Sequence, residues 1–97
     1  MSYKLIISGK AKYEIEEAYF YYEYAQKGLG DKFITHLDNY LERISTSPWQ
    51  FPEKRSPYRE AFVRKFPFLI IFEIQNNNIV VYSVFNTSQN PQKKPGW

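Results

Sequence analysis

Residues 58–86 read YREAFVRKFPFLIIFEIQNNNIVVYSVFN, and this stretch decides the fold of the 97-residue chain. Two runs rich in β-branched and aromatic residues, Phe68–Ile74 and Ile79–Phe85, flank the polar turn Gln75–Asn78. Apolar β-formers on either side of a turn that tolerates positive φ predict a β-hairpin. Both runs are apolar on both faces, as covered central strands are, so we expect other elements to pack on this hairpin.

The segment before the hairpin, Tyr58–Phe66, alternates with a period of two and predicts a third, more exposed strand. The alternation places Tyr58, Glu60, Phe62, Arg64 and Phe66 on one face, and Arg59, Ala61, Val63 and Lys65 on the other. We interpret this strand as the one that carries cations to the surface of the sheet.

The upstream half supplies the cover for that sheet. Its expected elements are an edge strand at Tyr3–Ser8, amphipathic helices at Ala11–Gln26 and Asp31–Thr46 with a stop at Gly28, and a loop at Trp49–Pro57. The order β-α-α-β-β-β predicts a single α+β domain over residues 1–97, a helical hairpin packed on a mostly antiparallel four-stranded sheet. From about residue 87 we expect a basic, irregular tail.

Composition excludes several classes of site. The chain has no Cys and one His, so disulfides, thiol catalysis and Cys-ligated metal sites are excluded, and we expect neither metal nor cofactor. The apolar run near the N-terminus, Leu5–Ile7, has only three residues, and no stretch approaches the length of a membrane span. We expect a cytoplasmic protein with no membrane partner.

The charge is divided unevenly along the chain. Residues 1–53 carry six Lys/Arg against eight Asp/Glu, a net of −2, whereas residues 54–97 carry seven against two, a net of +5. A basic sheet beneath an acidic helical layer indicates an anionic partner, either nucleic acid or an acidic protein segment. The alternative is a solvated basic face with no specific partner.

Several short stretches, in order along the chain, resemble a known family. They are Glu17-Ala18 with Tyr21-Tyr22, Gly28-Leu29-Gly30, Ile44…Pro48, Tyr58-Arg59…Val63-Arg64-Lys65-Phe66-Pro67-Phe68, and Val84-Phe85-Asn86…Asn90-Pro91. Taken together, over nearly the whole chain, they resemble the RelE/ParE superfamily of bacterial toxins from type II toxin–antitoxin modules. The resemblance implies a small growth-inhibiting toxin that a cognate antitoxin silences, with operator DNA contacted only through the antitoxin. RelE-like members cleave mRNA on the ribosome without metal, whereas ParE-like members inhibit DNA gyrase.

The residues that RelE-like nucleases use are replaced in this chain. Where such a nuclease carries an arginine inside the first hairpin strand, Leu69 follows Phe68 here, and the last strand ends in Asn86-Thr87 in place of a cation or histidine. The tail offers Lys93, Lys94 and Trp97 in place of a catalytic Tyr or His. Asn86 does not titrate and Leu69 does not bind phosphate, so the ParE-like branch, acting by binding, is our hypothesis.

Two alternatives remain open. One is a ribosome-dependent mRNA endonuclease with an atypical site, whose candidate catalytic residues are Arg59, Arg64, Tyr82 and Lys93. The other is a decayed toxin that serves as a binding module. For the favoured reading, the expected partner-binding residues are Arg59, Arg64, Lys65, Phe66 and Phe68, and the expected partners are the antitoxin and either gyrase or the ribosome with its mRNA.

Overall fold

The computed structural model describes residues 3–88 of the chain. In order, its elements are β1 (Lys4–Ile7), α1 (Gly9–Ala25), α2 (Leu29–Thr46), a 3-10 turn (Pro48–Gln50), β2 (Glu53–Arg55), β3 (Tyr58–Val63), β4 (Phe68–Gln75) and β5 (Asn78–Asn86). The predicted tail, including Lys93, lies outside the described residues apart from its first two positions.

The strands form one sheet in the order β1-β5-β4-β3-β2. The predicted hairpin is confirmed: β4 and β5 pair antiparallel around a turn in which Asn76 has a φ of 56°. Both strands are central, which explains why both of their faces are apolar. Strand β1 is the predicted edge strand and runs parallel to β5.

Local signals in the sequence fix the helix ends. Ser8 caps α1, because its Oγ accepts a hydrogen bond from the Ala11 N–H at 3.0 Å. Gly28 takes the left-handed conformation, with φ 87°, and allows the sharp turn into α2. There the Glu23 carboxylate accepts hydrogen bonds from the Gly28 and Gly30 N–H groups, at 2.9 and 3.0 Å.

Both helices pack on one face of the sheet around an aromatic cluster. The Phe33 ring centroid lies 4.9 Å from that of Phe68 and 5.5 Å from that of Phe66, and Tyr22 of α1 closes the group. Aromatic rings in such edge and tilted arrangements supply large buried areas. The predicted amphipathic character of the second helix is confirmed, because Phe33, Leu37, Leu41 and Ile44 of α2 are buried.

The prediction of four strands is wrong, because the sheet has five. The extra strand, β2, lies in the segment predicted to be a loop, and it pairs with β3 at Glu53↔Arg59 and Arg55↔Tyr58. Its three residues are exposed, charged and close to prolines on both sides, so they carry no β-pattern of their own. Pairing with β3, rather than local propensity, makes this strand.

The third predicted strand ends earlier than expected. Strand β3 stops at Val63, and residues 64–67 form a turn in which Lys65 has a φ of 74°. The turn rotates Phe66 into the core, so the prediction that it shares a face with Phe62 is wrong. Among residues 3–88, neither helix combines the length and hydropathy that crossing a bilayer requires.

Candidate partner-binding surface

A groove of about 660 Å³ opens between the end of α2 and the far end of β3. We call it the cationic groove, and it is lined by Tyr40, Arg43, Phe51, Pro52, Lys54, Glu60, Phe62, Arg64 and Leu69. Three cations and one carboxylate surround a partly apolar floor. Such a lining favours an anionic segment that also brings apolar side chains.

The groove exists because β2 covers only part of β3. The pairing of these strands ends at Glu53↔Arg59, after which the Glu60 N–H donates to the Pro52 carbonyl at 3.1 Å. Within residues 3–88, no strand pairs with the outer edge of β3 beyond that point. An open strand edge presents backbone donors and acceptors to an incoming peptide.

Arg43 is held in place by α2 and the loop that follows it. Its guanidinium carbon lies 5.0 Å from the Tyr40 ring centroid and 5.5 Å from that of Phe51, and its Nη2 donates to Gln50 Oε1 at 3.2 Å. Two aromatic rings and an amide therefore orient the cation toward the groove. A preorganised arginine loses less freedom when it pairs with a carboxylate.

Arg64 stands at the mouth of the groove with its side chain exposed. Its backbone N–H donates to the Tyr40 hydroxyl at 3.3 Å, which ties the end of β3 to α2. In residues 3–88, no hydrogen bond or ion pair engages its guanidinium. Phe62 is 59% exposed beside it, a large apolar surface for a strand residue. The two side chains together offer one charged and one apolar contact.

The other predicted partner-binding residues lie elsewhere. Arg59 Nη1 donates to the Phe51 carbonyl at 2.7 Å, and its guanidinium carbon lies 4.9 Å from the Trp49 ring centroid, so this arginine braces the loop before β2. Lys65 is exposed in the turn after β3 and does not line the groove. Phe66 and Phe68 are only 9% and 2% exposed. Partner contact by these four residues stays a prediction, and the cationic groove does not depend on it.

Two of the candidate catalytic residues, Tyr82 and Arg64, lie near opposite ends of β3. Tyr82 donates to Glu73 Oε1 at 2.8 Å, and Glu73 is paired with Tyr58 at the start of β3. Arg64 follows the other end of that six-residue strand, about 20 Å from Tyr58 at ~3.4 Å per residue. Burial and the hydrogen bond to Glu73 raise the pKa of the Tyr82 phenol to about 12, which makes it a poorer proton donor near neutral pH.

Metal ligation finds no support in the described part of the chain. Among residues 3–88, no group of three or more His, Asp or Glu side chains is placed to hold a metal ion.

A family model described as "ParE toxin of type II toxin-antitoxin system, parDE" matches residues 5–91. The chain belongs to the ParE toxin family. It is thus the toxin component of a type II toxin–antitoxin system, as the resemblance in sequence implied. The comparison with curated proteins found no significant match.

Among solved structures, this ParE toxin is similar to one described as "Chromosomal ParDE TA system from P. aeruginosa". The TM-score is 0.77 over 88% of this chain and 96% of the other, at 15% sequence identity. At that identity, the likeness shows a shared fold.

Sequence reasoning missed several groove residues of this ParE toxin. Arg43 lies three residues after Tyr40, so both occupy one face of α2, and that spacing was a usable signal. Lys54 was missed because it lies in the segment that was predicted to be a loop, where no strand placed it beside the other cations. Phe62 was placed on the same face as Arg64, but only the open edge of β3 makes it a candidate contact residue.

Proposed function

We propose that this ParE toxin arrests growth in the cytoplasm by binding DNA gyrase, without catalysis of its own. A cognate antitoxin neutralises it through an acidic segment that docks in the cationic groove. The observation that carries the antitoxin site is the grouping of three cations around exposed Phe62 at an open strand edge. Operator DNA is contacted only through the antitoxin.

Binding rather than cleavage is supported by what the groove contains. Arg43, Lys54 and Arg64 line it with hydrogen-bond donors that attract an anionic segment. The phenol of Tyr82 lies beside Glu73 and Tyr58, at the opposite end of β3 from Arg64. Family membership supports the choice of gyrase, because the ParE-like branch of the superfamily inhibits that enzyme.

An antitoxin segment that folds on binding suits this groove. Its backbone can pair with the open edge of β3 while its acidic side chains meet Arg43, Lys54 or Arg64. Apolar side chains would cover Phe62 and Leu69. Opposite charge steers the encounter, and apolar burial then holds the complex.

Induction of the toxin alone tests the function as a whole. Growth should stop when soluble toxin accumulates, and it should resume when the adjacent antitoxin gene is co-expressed. Unimpeded growth in the presence of abundant folded toxin would contradict the proposal.

Arg64→Glu tests the antitoxin site. Replacing this cation by an anion at the groove mouth should raise the Kd for the antitoxin at least ~10-fold at low salt, mostly through slower association. The difference should shrink at about 1 M salt, where the screening length falls to ~3 Å. Lys32→Glu, which makes the same charge change on an exposed position of α2, is the matched control and should bind as the wild type does. If the Arg64→Glu and Lys32→Glu proteins bind the antitoxin with the same Kd at low salt, Arg64 is not part of the interface.

A further inference from the structure

Helix α1 carries a row of exposed aromatic side chains on the face opposite the core. Tyr13, Phe20, Tyr21 and Tyr24 are between 53% and 91% exposed, and they make up four of the seven exposed large hydrophobic residues in the described chain. Their spacing of three, four and seven residues places them on one side of the helix. Single exposed aromatics are ordinary, but a contiguous row is typical of a protein-binding surface. We call this row the aromatic stripe.

The stripe is acidic. Between positions 13 and 24 there are four Glu and no Lys or Arg. Two of these carboxylates are engaged within the fold: Glu14 with Lys10 and the edge of β5, and Glu23 with the first amides of α2. The other two, Glu16 and Glu17, are exposed along the stripe and supply its charge.

The negative charge along the stripe affects the ionisation of the Tyr13 phenol. The Tyr13 hydroxyl donates to Glu17 Oε2 at 2.9 Å. That hydrogen bond and the charge of Glu17, with a smaller contribution from Glu16, raise the pKa of the Tyr13 phenol above its usual value. A cation placed here would therefore meet both a negative potential and aromatic faces.

A second groove, of about 670 Å³, runs along one side of the stripe between α1 and β5. Tyr13 and Tyr21 of the stripe also line this groove, together with Glu17 beside them, and buried Ala18 and Phe68 give the groove an apolar floor. The pairing of β1 with β5 ends at Ile7↔Val81, so the C-terminal part of β5 forms an open wall. A groove of this kind accepts an apolar anchor next to the charged contacts.

We propose that the aromatic stripe and its adjoining groove are a second protein-binding surface, one that binds an arginine-bearing segment of the toxin's protein target. This inference rests on the proposed function, and it names the face through which the target is engaged. Arginine fits because its planar guanidinium stacks on tyrosine rings and pairs with carboxylates in the same contact.

The opposite charges of the cationic groove and the aromatic stripe make each surface selective for a different kind of partner. An acidic antitoxin segment is drawn to the cationic groove and repelled from Glu16 and Glu17, whereas a cationic segment experiences the reverse. The toxin thus has a separate surface for each kind of partner.

Charge reversal on α1 tests the proposal in cells. Glu16→Lys combined with Glu17→Lys should abolish growth arrest on induction while leaving the Kd for the antitoxin within about twofold of wild type, because distant sites act independently. Asp38→Lys combined with Glu42→Lys makes the same change on exposed positions of α2 and should leave toxicity intact. Thermal unfolding of each purified variant verifies that it is folded. Full toxicity of the α1 variant would overturn the proposal.

Aromatic substitutions give a reciprocal test that does not alter charge. Tyr21→Ser combined with Tyr24→Ser should abolish growth arrest but preserve antitoxin binding. Phe62→Ser, in the cationic groove, should weaken antitoxin binding but preserve growth arrest. If the α1 variant loses antitoxin affinity and remains toxic, the assignment of partners to surfaces is wrong.

Direct binding to purified DNA gyrase separates this proposal from the proposed function. Wild-type toxin should bind gyrase, and the Glu16→Lys/Glu17→Lys variant should bind it at least ~10-fold more weakly at low salt. Equal binding by both would overturn the proposal for this surface. If wild-type toxin arrests growth through the stripe yet does not bind gyrase, the stripe is supported and the choice of gyrase is wrong. Failure of the wild type to arrest growth would overturn both.

Discussion

At the scale of single residues, Gly30 shows how closely the two helices approach each other. A Cβ atom built at this position would lie 2.7 Å from the Tyr19 carbonyl oxygen and 2.9 Å from Glu23 Oε1. The first contact is with backbone, which cannot swing away as a side chain would. The requirement for glycine here comes from the neighbouring helix, because a positive φ is found at Gly28 and not at Gly30.

Gly30→Ala should therefore lower the free energy of unfolding by about 1–3 kcal/mol, since the added methyl forces the helices apart. Gly9→Ala is the control, because a Cβ there meets nothing within 4 Å and alanine favours the helix. Urea denaturation of both variants measures the difference. A Gly30→Ala protein as stable as the Gly9→Ala protein would contradict the close approach of α1 and α2.

Tyr82 makes the stability of the fold depend on pH in the alkaline range. Burial and the Glu73 hydrogen bond raise its pKa from 10.0 to about 12. The phenol is harder to ionise in the folded chain than in the unfolded one. Its contribution to the free energy of unfolding is therefore complete below pH 10 and is lost as the pH rises through 12. Tyr82→Phe should therefore show a shallower loss of stability between pH 10 and 12, measured by urea denaturation at each pH. Parallel curves for wild type and Tyr82→Phe would show that the phenol is not perturbed.

At the scale of elements, Glu14 joins α1 to the open edge of β5. Its Oε1 accepts from the Val84 N–H and the Ser83 Oγ, both at 2.9 Å, and its Oε2 accepts from Lys10 Nζ at 2.8 Å. One side chain thus satisfies an edge amide and the buried Ser83 hydroxyl where β1 no longer covers β5. The Glu14 carboxylate of α1 here accepts the backbone hydrogen bond that a neighbouring strand would otherwise accept.

Glu14→Ala should destabilise the protein by about 1–3 kcal/mol, because it leaves the Val84 amide and the Ser83 hydroxyl without this acceptor. Glu16→Ala removes an exposed carboxylate from the same helix and should change stability by no more than ~0.5 kcal/mol. Guanidinium denaturation compares the two variants. Equal stabilities would mean that the Glu14 contacts are not maintained in solution.

The elements also show which parts of the fold the sequence can predict. Strands β4 and β5 were predicted within a residue of their ends because a long apolar run and an Asn-rich turn act together over a short distance. Strand β2 could not be predicted, since Glu53–Arg55 have no apolar alternation and are paired only through β3. Phe66 was misplaced for a related reason: alternation predicts faces only while a strand continues, and the turn after Val63 breaks it.

At the scale of the whole molecule, two surfaces of opposite charge lie beside two open strand edges. The cationic groove follows β3 beyond the end of β2, and the groove along α1 follows β5 beyond the end of β1. The sequence predicted the division of charge, because it needs only a count along the chain. It did not predict either groove, because each depends on where a strand stops and which helix passes over the gap.

The central claim is that this ParE toxin inhibits by binding, and a titration of DNA gyrase supercoiling tests it most directly. With the gyrase concentration well above the Kd, inhibition should rise linearly with added toxin and level off at a fixed molar ratio of toxin to gyrase. The degree of inhibition should not increase with longer incubation. Mapping mRNA 5′ ends after a short induction in cells should meanwhile show no new cuts. Undiminished supercoiling in excess folded toxin, together with codon-phased mRNA cleavage, would contradict the account.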